Sequence, residues 1–187
     1  MRKLFFITVV MTTFFLQACK KEDTNSIQNN NTISDNLHLS FYTPDWNAVI
    51  NCDQLILDAT NDSLLRSTSQ STNEVFYLTV PKDSSLWSSP TNITTYPIGL
   101  YGTFSFNQTL PITKGSSTRL IGIDQPISDS SFHKINSITY DHSDNTGAYF
   151  KIKANYKMVM KVLYSNNMDT LKNVYGDYTF LVKTNKK

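Results

Sequence analysis

Side chains that carry acid–base or nucleophilic chemistry are sparse in this sequence. It holds three histidines, His38, His133 and His142, and its glutamates are Glu22 and Glu74. Hydrolysis through a serine needs a base held beside the nucleophile by an orienting partner. No Gly-x-Ser-x-Gly run supplies that nucleophile, and no His-Glu-x-x-His run supplies a zinc site. A Ser–His–Asp set drawn from His38, His133 or His142 rests on arbitrary choice. A glycosidase needs two facing carboxylates, and here such a pair would come from aspartates in turn-like stretches. No catalytic residue is assigned, and a hydrolase is the least supported function. Asp141-His142-Ser143-Asp144-Asn145-Thr146-Gly147 offers oxygen ligands and a glycine. Its spacing is not that of an EF-hand, and these residue types are also what a plain turn requires. No metal site and no cofactor are assigned.

Binding chemistry has more to draw on. Trp87 stands in a polar stretch, and Trp46 follows Pro44-Asp45. A tryptophan among polar residues either packs back onto a core or forms part of a binding surface. Trp87 is the first candidate for stacking on a sugar, with Trp46, Tyr96 and Tyr101 behind it. Lys151, Lys153, Lys157 and Lys161 alternate with apolar residues and project from one side of one strand. They suit an anionic glycan or headgroup; equally, they suit a solvated face guarded against aggregation.

The elements that must position these residues read as strands. Leu37, Leu39 and Phe41 alternate with polar residues; Ala48–Cys52, Gln54–Ala59 and Glu74–Val80 read as further short strands. Residues 60–73 read as a loop or an edge region, and residues 83–94 as a loop. Ile98 to Phe106, Thr118–Ile123 and Ile135–Tyr140 read as strands again. The clearest signal comes last. Ala148, Phe150, Ile152, Ala154, Tyr156, Met158, Met160, Val162 and Tyr164 alternate with polar residues. Val174, Gly176, Tyr178, Phe180 and Val182 alternate on the way back, after a turn cluster at Ser165–Asp169. That is a long antiparallel hairpin with one face to the core. Seventeen extended residues would span about 56 Å, so a bend or bulge is expected within it. A turn centred near Asn167 would pair Lys157 with Asp177 and Lys151 with Lys183. Tyr101–Phe106 and Tyr175–Phe180 share a Tyr-Gly-x-aromatic-Ser/Thr-Phe pattern, as if two strands played similar roles. Many short strands without a helix give an all-β fold. The expected form is an antiparallel β-sandwich with a long C-terminal hairpin; the alternative is a lipocalin-like β-barrel.

The N-terminus is of another kind. Arg2-Lys3 precede an apolar run from Leu4 to Leu16, too short for the roughly 20 residues of a membrane-spanning helix and suited to a secretory signal. Leu16-Gln17-Ala18-Cys19 resembles the lipobox of bacterial lipoproteins. The resemblance implies cleavage before Cys19 and a lipid, palmitate among its acyl chains, anchoring Cys19 in a membrane. Lys20-Lys21-Glu22-Asp23 resembles the surface-export signal of lipoproteins of the Bacteroidota. The chain as a whole, with its Gly-x-aromatic-x-Phe strands, resembles small all-β lipoproteins of that phylum. The resemblance implies an outer-membrane protein facing the cell exterior, with a periplasm-facing position as the alternative. The expected organisation is a signal peptide at 1–18, a disordered polar tether at 19–36 and one all-β domain at 37–187.

Charge refines the list of partners. The formal net charge of +2 includes Arg2 and Lys3; without them 15 basic residues face 15 acidic ones, which does not favour nucleic acid. Residues 147–187 hold 8 basic and 2 acidic side chains. With Cys19 taken by lipid, Cys52 has no intrachain partner and reads as a buried small apolar residue. The expected function is non-enzymatic binding, of polysaccharide in the first place. A structural or accessory role beside an outer-membrane protein is the alternative.

Overall fold

Apolar–polar alternation governs the long hairpin, as expected. Along β10 (Gly147–Leu163), Phe150, Ile152, Ala154, Tyr156, Met158, Met160 and Val162 are buried, and the residues between them are not. The computed structural model describes residues 33–69, 73–163 and 170–185. Within them lie β1 (His38–Tyr42), β2 (Asn47–Asn51), β3 (Leu55–Ala59), β4 (Leu64–Ser69), β5 (Val75–Pro81) and β6 (Thr95–Tyr96). They are followed by β7 (Ser105–Pro111), β8 (Arg119–Gly122), β9 (Phe132–Ser143), β10 and β11 (Leu171–Asn185). Two short 3-10 turns, Ser84–Leu86 and Pro90–Asn92, lie between β5 and β6.

All strand pairings are antiparallel, in the order β2-β1-β11-β10-β8-β7-β5-β4-β3, with β9 on β10 and β6 on β9. β10 makes this sheet fork. Its residues 148–157 pair with β9, and residues 160–163 pair with β8 on the same edge. One layer is therefore β2-β1-β11-β10-β9-β6 and the other β8-β7-β5-β4-β3. The outermost strands β2 and β3 are consecutive in the chain, joined through Cys52-Asp53-Gln54. The sheet curls until its two ends meet at that corner. The fold is thus all-β and antiparallel, two packed layers cut from one curled sheet.

The core lies between the layers. Phe76 on β5 stacks on Phe180 of β11 at 4.3 Å, and Phe106 on β7 meets Tyr156 and Tyr178 at 4.7 and 5.2 Å. Such ring pairs contribute about 0.5–1.5 kcal/mol beyond burial. The polar tips inside the core are bonded. The Tyr178 hydroxyl is 2.7 Å from His133 Nε2, and His133 Nδ1 is 3.1 Å from the Phe104 carbonyl. A carbonyl only accepts, so Nδ1 carries the ring proton and Nε2 accepts from tyrosine. The Tyr156 hydroxyl lies 2.9 Å from both the Ser40 carbonyl and Gln108 Oε1.

Several expectations need correction. Leu64–Ser69 lies in the stretch read as a loop or an edge region; it forms β4, paired on both sides, with β3 and β5. Its inward positions include Ser67 and Ser69, which carry no apolar signal. Ile98–Phe104 reads as a strand but is a folded segment. Gly102 at φ 100° and Phe104 at φ 55° turn the backbone, and the strand starts only at Ser105. The echo with Tyr175–Phe180 is therefore not structural. Gly176 lies inside β11 because a Cβ there would collide with the Ser40 carbonyl, whereas Gly102 has open space and a positive φ. The hairpin register differs by two residues: Lys157 pairs with Tyr175, Asn155 with Asp177 and Lys151 with Leu181. A shift of two keeps every side chain on its face. The expected irregularity falls in the β9 pairing, where the register shifts at Tyr149/Phe150 and Lys153/Ala154. Residues 33–36, assigned to the tether, are instead fixed on the domain. The rest of the tether, the lipobox with Cys19 and the turn cluster Ser165–Asp169 lie outside the described residues.

Candidate functional site

The segment from Pro81 to Phe104 builds an open groove of about 550 Å³. Local chemistry explains its shape. Asp83 caps the first 3-10 turn, its carboxylate accepting from the Ser85 amide at 3.0 Å and the Ser85 hydroxyl at 2.7 Å. Pro90 opens the second, where its missing N–H costs nothing. The Asn92 amide donates to the Leu86 carbonyl at 2.7 Å and ties the two turns together. The Tyr96 hydroxyl donates to the Asn92 carbonyl at 3.1 Å.

The lining is aromatic and neutral. Tyr96 supplies a partly exposed ring, Leu86 and Pro81 supply apolar walls, and the buried Phe104 lies beneath them. Ser85, Ser89, Thr91, Thr94 and Thr103 supply hydroxyls, and no charged side chain lines the groove. Phe104 forms its floor in a backbone conformation that a bulky residue rarely adopts. Both its ends are fixed: its ring meets Trp87 edge-on at 5.5 Å, and its carbonyl accepts from buried His133. Strain held this firmly is a mark of functional positions. Burial pushes the His133 imidazole down to about 3, so it is neutral and keeps this tautomer. Burial likewise raises the Tyr96 hydroxyl, which stays protonated.

The sequence candidates are scattered around this groove. Trp87 does not touch a ligand surface. It is 1 % exposed, donates from Nε1 to the Pro81 carbonyl at 3.0 Å and stacks on Phe150 at 4.8 Å. It is the buttress behind the groove. Trp46 is spent on structure too, edge-on to Phe41 at 4.7 Å, with Nε1 donating to the Pro111 carbonyl at 3.1 Å. Tyr96 is in the groove. Tyr101 is 80 % exposed beside a smaller depression with Pro97, Asp124 and Pro126. The residues that sequence reasoning missed are Leu86, Asn92, Thr94 and Thr103. The run of hydroxyl residues from Ser84 to Thr95 signals Thr94 alone among these four.

The lysine strip is not a free row of cations. Lys153 pairs with Asp35 at 2.6 Å, Lys157 donates to the Asp129 carbonyl at 3.0 Å, and Lys161 is engaged as well. Lys151 lies on the same face and its charge acts on Asp35. In the Asp141–Gly147 stretch, Asp141–Ser143 end β9, Gly147 begins β10, and Asp144–Thr146 make the turn between them. Asp144 Oδ1 accepts from the Thr146 amide and hydroxyl and the Gly147 amide, and Oδ2 accepts from the Tyr149 hydroxyl. These bonds hold the carboxyl well below its ordinary range and occupy its lone pairs. No cluster of three His, Cys, Asp or Glu side chains suits a metal among the described residues.

His38, Ser40 and Asp177 do come together, but in the wrong order for nucleophilic catalysis. The Ser40 hydroxyl donates to the Asp177 carboxylate, and His38 Nε2 meets the other carboxylate oxygen at 3.0 Å. The imidazole is spaced from the serine by the acid, so it cannot take the serine proton. Cys52 is buried at the corner, and burial, with the Asp53 charge, pushes its thiol up to about 12. It remains an unreactive thiol.

Comparison with protein-family models, with curated proteins and with solved structures found no match to the chain.

Proposed function

We propose that this is a lipid-anchored, non-enzymatic binding protein. In this reading Cys19 carries the lipid, the domain faces the exterior at the outer membrane, and the groove beside Tyr96 takes a neutral carbohydrate. The observation that carries the reading is the groove's chemistry. A sugar presents apolar C–H faces and a rim of hydroxyls that both donate and accept. The Tyr96 ring matches the first; Thr94, Thr103, Ser89 and Thr91 match the second. The absence of charge from that lining disfavours an ionic ligand, which would be desolvated there without compensation. A pre-set floor lowers the ordering cost of binding.

Affinity electrophoresis through gels cast with neutral polysaccharides tests this. The wild type is retarded in at least one gel. Tyr96→Ala loses the retardation, and so does Thr103→Lys, which fills the groove from an exposed position without touching the core. Equal mobility of all three proteins in every gel removes the carbohydrate reading. Metabolic labelling with palmitate tests the anchor separately: Cys19→Ser abolishes incorporation.

A second reading, an accessory subunit of an outer-membrane complex, is favoured by the outer face of β1, β2 and β11. Tyr42 and Tyr175 stack there at 5.2 Å, and Val49 is 67 % exposed. Consistent cross-linking of one partner to this face in intact cells, lost in Tyr175→Ala, supports it.

A further inference from the structure

Of the four residues that precede Leu37, Ile33, Ser34 and Asp35 are tied to the outer face of β10 and β11, and Asn36 is tied to His38 of β1. Lys153 donates to the Ile33 carbonyl at 3.2 Å and pairs with the Asp35 carboxylate at 2.6 Å. Thr179 donates to the Ser34 carbonyl at 2.6 Å. His38 Nδ1 lies 2.6 Å from the Asn36 carbonyl. His38, Thr179 and Lys153 are cross-strand neighbours in one row, so three strands grip one short segment. Thr179 and His38 occupy solvent-side positions of their strands yet are 0 % and 7 % exposed.

One link in this clasp depends on a proton near neutral pH. Both ring nitrogens of His38 face oxygen: Nδ1 the Asn36 carbonyl, Nε2 the Asp177 carboxylate at 3.0 Å. A neutral imidazole has one N–H, so only the imidazolium satisfies both contacts. When one proton leaves, the charge-assisted bond to Asp177 is the stronger and keeps the remaining N–H. The Nδ1 lone pair then faces the Asn36 carbonyl, and the contact turns repulsive. The charged groups facing His38 are Asp177 on β11, Lys153 on β10 and Asp35 in the segment itself. Asp53 lies beyond Asn51 on the β2 side, in the depression that His38 also lines.

We propose that Ile33–Asn36 is a proton-latched strap: imidazolium at His38 bridges the Asn36 carbonyl to Asp177 of β11, and loss of one ring proton breaks that bridge and loosens the segment that Lys153 and Thr179 still hold. The inference is independent of whether the groove binds carbohydrate. Burial lowers the His38 value, but Asp177 and the Asn36 carbonyl outweigh it and leave the value raised above 6.5, so the clasp is closed on the acid side of that value and opens as the pH rises through it.

The test is spin-label mobility in the full chain in detergent micelles. Ser34→Cys is labelled in a Cys19→Ser background, where buried Cys52 does not compete. The label is immobile at pH 5, and a mobile fraction grows through one single-proton transition with its midpoint above 6.5. His38→Gln is mobile from pH 5 to pH 9 with no transition. Asp177→Asn keeps a transition, moved down by about one pH unit or more, because the carboxylate that favoured imidazolium is gone. A wild-type spectrum that does not change between pH 5 and 9 overturns the proposal. So does a transition that both variants leave in place.

Discussion

His133 has the strongest control over this molecule at the scale of single residues. It connects the strained Phe104 carbonyl to the Tyr178 hydroxyl in the centre of the core. Its neutral form is the one that fits, and burial pushes its value down to about 3. The unfolded chain binds that proton near 6.5, so folding opposes protonation below that pH. Stability should therefore be full above pH 6.5 and fall by about 1.4 kcal/mol per pH unit as the pH drops towards 3. The other shifted groups do not obscure this window. His38 is raised, so its contribution is complete below 6.5 and is lost only as pH rises. Asp177 and Asp35 are lowered from 3.8, so theirs is lost only on the acid side of that value. Urea unfolding between pH 6 and 4 measures the slope. His133→Gln is weaker than wild type at pH 7, and the gap narrows steadily towards pH 4. A gap that stays constant would mean His133 is not the group that titrates.

At the scale of elements, the contact between β1 and β11 sets the geometry around the strap and the core alike. Gly176 allows it: a Cβ there would collide with the Ser40 carbonyl and crowd the Tyr156 hydroxyl. Backbone cannot give way as a side-chain tip can, so Gly176→Ala forces β1 away from β11 and loosens the Tyr156–Ser40 bond. The cost is of the overpacking kind, about 1–3 kcal/mol, read from a thermal or urea midpoint. Gly102→Ala is strained by its φ of 100° but meets no neighbour, so it tests backbone strain without a collision.

The same elements show what could be read from sequence. β10 and β11 were legible because one face is wholly buried and the other wet, so period two survives in the residues. β4 was not, because two of its three buried positions are the serines Ser67 and Ser69, which leave no apolar alternation to read. Ile98–Phe104 alternated without being a strand, since buried Ile98 and Phe104 reach the core from a folded segment. The groove was half legible: Tyr96 stood out as an aromatic. Its hydroxyl partners are ordinary loop residues until the two 3-10 turns bring them together. Trp87 was recognised as unusual for the right reason, a large apolar ring in a polar stretch. Of the two readings that follow from it, packing back onto the core is the one that holds; only the partner, Phe150, was illegible.

At the scale of the whole molecule, the two layers share their boundaries. β10 belongs to both, pairing with β9 over one part of its length and with β8 over another. The corner at Cys52 joins β2 of one layer to β3 of the other. Trp46, in the turn between β1 and β2, donates across to Pro111 at the end of β7. A layer that melted alone would have to break β10 in mid-strand and expose Phe180, Tyr156 and Phe106 together. The layers should therefore unfold as one cooperative unit. Ile152→Ala, in the layer of β11, and Leu78→Ala, in the layer of β7, each remove a fully buried side chain. Each lowers stability by about 2–5 kcal/mol. Each also moves a single transition, with tryptophan fluorescence and far-ultraviolet circular dichroism coincident. The fluorescence reports on both layers, because Trp87 packs on Phe150 of β10 and Trp46 bonds to Pro111 of β7. If either variant separates the two signals into distinct midpoints, the layers are independent, and neither β10 nor the Cys52 corner couples them.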